Sequence, residues 1–259
     1  MKINEIINNI DKDEIRKIFN EHFTYDGEIT IDDNGFISCS GVVNLVSKLS
    51  KLPVKFLKVD GDFNCSNNQL TTLVGSPTSV GGHFDCANNK LITLVGSPAS
   101  VDGGFYCHDN QLTTLAGGPT SVDGSFDCSS NQLTTLVGSP TSVGGYFDCH
   151  NNNLETLAGC PTSVGKWFDC YNNPNLKNLN HLSTGISDLY LSYSPTMPLL
   201  RCLIAEAVRV DPKTDTTTQI KDVLNKYAGQ GRKAALDCAA DLLSLGKKLG
   251  IDLTMNARW

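Results

Sequence analysis

The stretch VGGHFDCANNKLITLVG, residues 80–96, has near-copies before and after it, and its reading decides the fold. Its Cys86 belongs to a column, Cys65, Cys86, Cys107, Cys128, Cys149 and Cys170, that recurs every 21 residues. Phe63, Phe84, Phe105, Phe126, Phe147 and Phe168 stand two before each cysteine. Asn68, Asn89, Asn110, Asn131, Asn152 and Asn173 stand three after it, and Leu70, Leu91, Leu112, Leu133 and Leu154 five after. A fixed period of this length marks a solenoid, in which each coil buries its inner face only against its neighbours.

The unit reads F-x-C-x-x-N-x-L-x-x-L. Alternation at Phe84, Asp85 and Cys86 predicts a strand with the two apolar side chains inward and the aspartate outward. The asparagine is expected to bond backbone groups of its own and adjacent coils. Gly-Ser-Pro and Val-Gly-Gly mark turns, so the return segments are predicted to be irregular. A cysteine ladder invites a metal or redox reading, but no C-x-x-C pair is present, and a buried thiol is a small hydrophobe suited to a narrow interior. The cysteines are therefore expected to pack the core.

The chain is irregular on both sides of the repeats. Residues 2–22 read as one or two short helices, with Ile3, Ile6, Ile7, Ile10, Ile15 and Phe19 as the apolar face and Asp11 or Asp13 as a cap. Residues 24–40 alternate like strands around an Asp33-Asn34-Gly35 turn. Pro174 interrupts the pattern, but Leu189 and Leu191 fall 21 after Phe168 and Cys170 and predict a last strand. Beyond residue 198, LLRCLIAEAVRV reads as a buried helix, TTTQIKDVLNKYA as an amphipathic one and RKAALDCAADLLSLGKKL as a longer one. The predicted division is residues 1–59, 60–194 and 195–259. The tail reads as a cap on the solenoid or as a separate helical domain.

With 40% hydrophobic and 19% charged residues, the 259-residue chain is neither disordered nor strongly ionic. A formal charge of -6 disfavours nucleic acid as the main partner. No apolar run is long enough to span a bilayer and the first residues are too charged for a secretory signal, which predicts a cytoplasmic, membrane-free protein. Residues 60–179 carry three basic and ten acidic side chains (-7), whereas residues 198–259 carry ten basic and seven acidic (+3).

Three outward columns flank Phe and Cys. The first runs Asp62, His83, Gly104, Ser125, Tyr146, Trp167. The second runs Asn64, Asp85, Tyr106, Asp127, Asp148, Asp169 and continues to Tyr190. The third runs Ser66, Ala87, His108, Ser129, His150, Tyr171. Asp127, Asp148 and Asp169 are expected about 4.8 Å apart on successive strands, where like charges repel unless a counter-ion or a basic partner relieves them. Aromatic side chains beside such a strip are candidate binding anchors. The candidate binding surface is thus Asp127, Asp148, Asp169, Tyr146, Trp167, Tyr171, His150, Tyr106 and Tyr190, with packing under the cap and a bound cation as competing explanations. The main expectation is a protein-binding module for a partner with a basic patch, of unspecified oligomeric state, with no cofactor, metal site or catalytic residue, and hence no enzyme. The alternative is a carbohydrate-binding or glycoside-cleaving solenoid using the aspartates, since neighbouring carboxylates can do acid/base work.

The repeat L-T-T-L-V-G-S-P-T-S-V-G-G-x-F-D-C resembles the leucine-rich-repeat-like proteins encoded by large tailed bacteriophages, over residues 52 to about 179. The opening ITIDDNGFISCSG is similar to the start of those proteins. The resemblance implies an α+β architecture built on a leucine-rich-repeat-like parallel β-solenoid, horseshoe-shaped or gently curved. Short N-terminal helices and a C-terminal helical cap or domain would complete it. It carries over no shared activity. It also implies a bacteriophage protein that binds and inhibits or redirects a host protein, such as one of defence, in the host cytoplasm.

Overall fold

A computed structural model describes residues 11–211 and 213–259. It is an α+β parallel solenoid with a helix at the front and a helical cap at the back. The expected helical face at Ile3, Ile6, Ile7 and Ile10 lies outside the described residues. Helix α1 (Lys12–His22) begins where Asp11 Oδ1 accepts the Asp13 and Glu14 amides at 3.1 and 3.0 Å, which settles the cap on Asp11.

Each coil contributes its Phe-x-Cys segment to one sheet of ten strands. That sheet runs from Phe23–Tyr25 and Val43–Leu45 through the six Phe-led strands to Asp188–Ser192 and Ala207–Asp211. All pairs are parallel except the first, in which Phe23–Tyr25 lies antiparallel on Val43–Leu45. The register is one coil exactly opposite the next, so Phe126 faces Phe147 and Asp148 faces Asp169.

The return segments are not irregular, as the sequence suggested. Their Ser-Val dipeptides, Ser79–Val80 through Ser163–Val164, stack in parallel as part of a second sheet of eight strands, which begins with the antiparallel pair Ile29–Ile31 and Phe36–Cys39 and continues in parallel through Lys55–Val59. Two residues per strand are too few to show a period-2 pattern, yet each valine is buried and stacked on its neighbour.

Between the sheets the columns fill the core. Phenylalanine rings stack along the axis with centroids 5.1–5.6 Å apart from Phe63 to Phe168. Phe56, Phe23 and Phe19 extend this spine into the N-terminal cap. The six repeat cysteines are buried free thiols, and burial pushes each well up, which confirms the packing role.

The asparagine ladder carries the turn that enters this core. Asn152 Nδ2 donates to Cys128 O, Cys149 O and His150 O at 3.1, 3.1 and 3.2 Å, and its Oδ1 accepts Leu133 N at 3.0 Å. Both ends of the side-chain amide are thus engaged by backbone of two coils. The residue before it turns left-handed, with φ between 51° and 56° at Asn67, Asn88, Asp109, Ser130, Asn151 and Asn172, where short polar side chains are tolerated.

The C-terminal segment departs from the expected all-helical tail. LLRCLIAEAVRV is a short 3-10 turn, Leu200–Ile204, followed by the strand Ala207–Asp211 at the edge of the ten-stranded sheet. Asp188–Ser192 is a strand as expected, but it is not the last. Helices α2 (Asp215–Tyr227) and α3 (Ala235–Leu249) match their sequence assignments. They bury Ile220, Leu224, Cys238 and Leu242 in the same continuous core as the coils, so the tail is a cap. Asn225 on α2 closes the exposed strand edge, accepting Val208 N at 2.7 Å and donating to Val208 O at 2.8 Å. Among the described residues no helix is long and apolar enough to cross a membrane.

Candidate functional site at the C-terminal coils

The aspartate column first has a structural job. Asp85, Asp127, Asp148 and Asp169 each accept, through Oδ1, the backbone N–H two residues on, at 2.7–3.0 Å. This Asx-type turn ends the short strand and starts the asparagine bend. Asn64 does the same with its amide oxygen at 2.9 Å, so the turn needs an acceptor but no charge. The negative charge carried by three successive coils is surplus to folding.

Packing that charge is costly, and the pKa values record it. Burial, reinforced by the Asp148 charge, raises Asp127 above the usual carboxylate range. Burial pushes Asp169 up to about 6; the Asp148 charge adds to this, while the Tyr171 amide and His150 oppose it. Asp148 itself is only 7% exposed. His150 takes up its carboxylate, with Nδ1 2.7 Å from Oδ1, and this bond raises the imidazole pKa in spite of partial burial. Among the described residues, both hydrogen bonds to the Asp148 carboxylate fall on Oδ1 and none on Oδ2.

One oxygen or nitrogen from each of Asp148, His150 and Asp169 lies within 4.8 Å of the others. This corrects the expectation of a chain with no catalytic or metal-ligating machinery. The sequence placed His150 in a separate outward column and treated the aspartates as one acidic strip. The strand register puts Asp169 opposite Asp148 as expected, and the i+2 turn folds His150 onto the Asp148 carboxylate. The three side chains can exchange protons or offer two oxygens and a nitrogen to a cation.

Aromatic residues flank the cluster. Tyr146 and Trp167 stack with centroids 4.1 Å apart and planes 5° from parallel, and Tyr190 meets Trp167 edge-on at 5.9 Å. Tyr190 is also the register partner of Asp169. Burial pushes the Tyr146 phenol up to about 12, so it stays protonated. Tyr171 is exposed, and the Asp211 carboxylate beside it raises its phenol above the ordinary range. Tyr106 is not part of this group: it leans across Gly104, where an added Cβ would meet its hydroxyl at 2.5 Å, and its ring lies 5.7 Å from His83. Asp127 lies next to Asp148 on the preceding strand and binds Ser129 Oγ at 2.6 Å.

Sequence reasoning missed the residues on the far side of Asp169. A cavity of about 660 Å³ opens there between the sheet end and α2, and Arg209, Lys213 and Lys221 line it with Tyr171 and Tyr190. The signal was the alternation Ala-Val-Arg-Val-Asp, which fits a strand as well as a helix.

Comparison with protein-family models, curated proteins and solved structures finds no match to this chain, and nothing in it links the chain to a bacteriophage.

Proposed function

We propose that the C-terminal coils form a glycan-binding face that cleaves a glycosidic bond over Asp148 and Asp169. The observation that carries this reading is the gathering of Asp148, His150 and Asp169 within 4.8 Å beside the stacked Tyr146 and Trp167 rings. Aromatic faces and edges hold sugar rings through their apolar C–H surfaces, and a carboxyl raised to about 6 still carries its proton in a mildly acidic solution. Asp169 is the proton donor. As the bond from the anomeric carbon to the leaving oxygen breaks, its proton passes to that oxygen, while Asp148 Oδ2 bonds the anomeric carbon. Water then gives its proton to Asp169 and its oxygen to that carbon, releasing Asp148. A separation below 4.8 Å leaves no room for a water between the carboxylates, which needs roughly 6.5 Å or more, and is close to the ~5 Å of pairs that form a covalent intermediate. His150 orients Asp148 and, when protonated, stabilises it as the departing carboxylate.

The protein-partner reading loses ground for a physical reason. The aspartates are half-buried or buried and already accept backbone hydrogen bonds, so they offer a basic surface little free charge.

Reducing-end release from a panel of polysaccharides at pH 5 tests the proposal. Asp148→Asn and Asp169→Asn are each expected to lower turnover at least ~100-fold, and Trp167→Ala to act mainly by raising KM. Cleavage undiminished in both aspartate variants, or no cleavage of any polymer, rules the reading out.

A divalent cation is the second reading, favoured by the same three donors. Two carboxylates and an imidazole suit zinc or manganese better than calcium. The His150 Nδ1 bond to Asp148 must open for it, or Nε2 must ligate. Calorimetric zinc titration of the wild type and His150→Ala checks this: saturable binding lost in the variant supports it, and absent binding in the wild type removes it.

A further inference from the structure

We infer that the cavity between Asp169 and α2 receives a sugar unit bearing a carboxylate, so that the glycan handled by this face is an acidic one; this rests on the glycan reading above. The cavity volume of about 660 Å³ lies within the ~300–1,000 Å³ of small-ligand sites. Asp169 lines it and also belongs to the catalytic cluster, so a polymer held over Asp148 and Asp169 continues into it.

Its walls are of two kinds. Tyr171 and Tyr190 are ring surfaces for a pyranose. Arg209, Lys213 and Lys221 bring three cations against the carboxylates of Asp169 and Asp211. Two of the five charged groups are committed locally: Arg209 binds Asp188 at 2.9–3.0 Å with its guanidinium 5.4 Å over the Tyr190 ring, and Asp169 Oδ1 accepts the Tyr171 amide at 2.7 Å. Lys221 has only its chain neighbour Asp222 at 3.3 Å, and Lys213 makes no ion pair among the described residues. Two lysines facing a ring-lined cavity therefore await an anion. The coils from residue 60 to 179 are acidic, whereas the segment that carries these cations is net basic.

The anion is better a carboxylate than a phosphate. With two carboxyl groups in the walls, a dianion meets more repulsion than a single charge does, and a uronate combines one charge with an apolar ring face.

The probe is polygalacturonate and its fully methyl-esterified form, which share a backbone and differ in charge. Calorimetry at pH 5 uses the full chain carrying Asp148→Asn, so that no polymer is consumed. The acid is expected to bind at least ~10-fold more tightly than the ester, and Lys213→Gln with Lys221→Gln to bring the two within about twofold while circular dichroism stays unchanged. Equal affinity for acid and ester overturns the inference, as does an acid preference that survives both lysine changes, or inorganic phosphate displacing the acid at equal concentration. The two readings fail separately. Acid-selective binding without wild-type hydrolysis leaves the cavity and removes the cleavage. Hydrolysis of a neutral glycan without acid preference does the reverse.

Discussion

The Asp169 carboxyl carries its proton further up the pH scale than a free carboxyl does, and this has a thermodynamic counterpart. Its folded value of about 6 lies above the ordinary 3.8, so between those pH values the folded chain holds more proton than the unfolded one. Stability contributed by protonated Asp169 is therefore full below pH 3.8 and is lost as pH rises to about 6. The raised pKa of His150 has the same sign and extends the decline above 6.5, and raised Asp127 adds to it from 3.8 upward. Asp169→Asn keeps the Tyr171 turn, as Asn64 shows for its own coil, and never ionises. The variant is expected to be about 1–2 kcal/mol more stable than wild type at pH 8, once partial exposure is discounted, with the gap closing by pH 4. Urea midpoints across that range measure it; a gap independent of pH refutes the assignment. Asn152 presents the opposite case. Asn152→Ala leaves the Leu133 amide buried without its partner, while Cys128 O, Cys149 O and His150 O each keep a second donor, and is expected to cost about 1–3 kcal/mol, against less than about 0.5 for exposed Gln132→Ala.

At the scale of elements, what the sequence made legible is what repeats. Phenylalanine, cysteine, asparagine and leucine hold one environment in every coil, so spacing alone reveals their ladders. Helices α2 and α3 were equally plain from their apolar faces. The Ser-Val strands escaped because two residues carry no periodicity, and their pairing is between coils rather than along the chain. Ala207–Asp211 escaped because it sits 19 residues after Asp188, off the period, inside a run of apolar residues that also fits a helix. Losing that strand meant losing Arg209 and the cavity it borders. The candidate site was half legible: the columns named Asp148, Asp169, His150, Tyr146 and Trp167, but the fold of His150 onto Asp148 depends on a turn geometry that residue types do not announce. The turn glycines show the same dependence on neighbours. Gly138, at φ 94°, would place a Cβ 2.7 Å from Ala116 N of the coil before, a contact set by stacking.

Across the whole molecule, stability is a sum over neighbouring coils, because each one touches only those beside it. Removing residues 84–104, one full period, brings Phe105 into the place of Phe84 with every ladder in register. Removing residues 84–103 shifts Phe, Cys and Asn by one and turns the core face outward. The first deletion is expected to give a folded, cooperatively melting protein with the same cluster at its C-terminal end; the second is expected to lose cooperative unfolding. Circular dichroism melts distinguish them, and equal behaviour of the two deletions contradicts the stacking account. The cluster depends on a particular end. Asp148 and Asp169 belong to the last regular coils, and Tyr190, Arg209 and Lys213 belong to the segment where repetition stops. Interchangeable coils carry no address of their own, so the site takes its position by counting back from the C-terminal seam. Lineages that gained or lost coils toward the N-terminus would have changed the reach of the molecule without moving its working parts; one coil inserted after Phe168–Asp169 would have parted them.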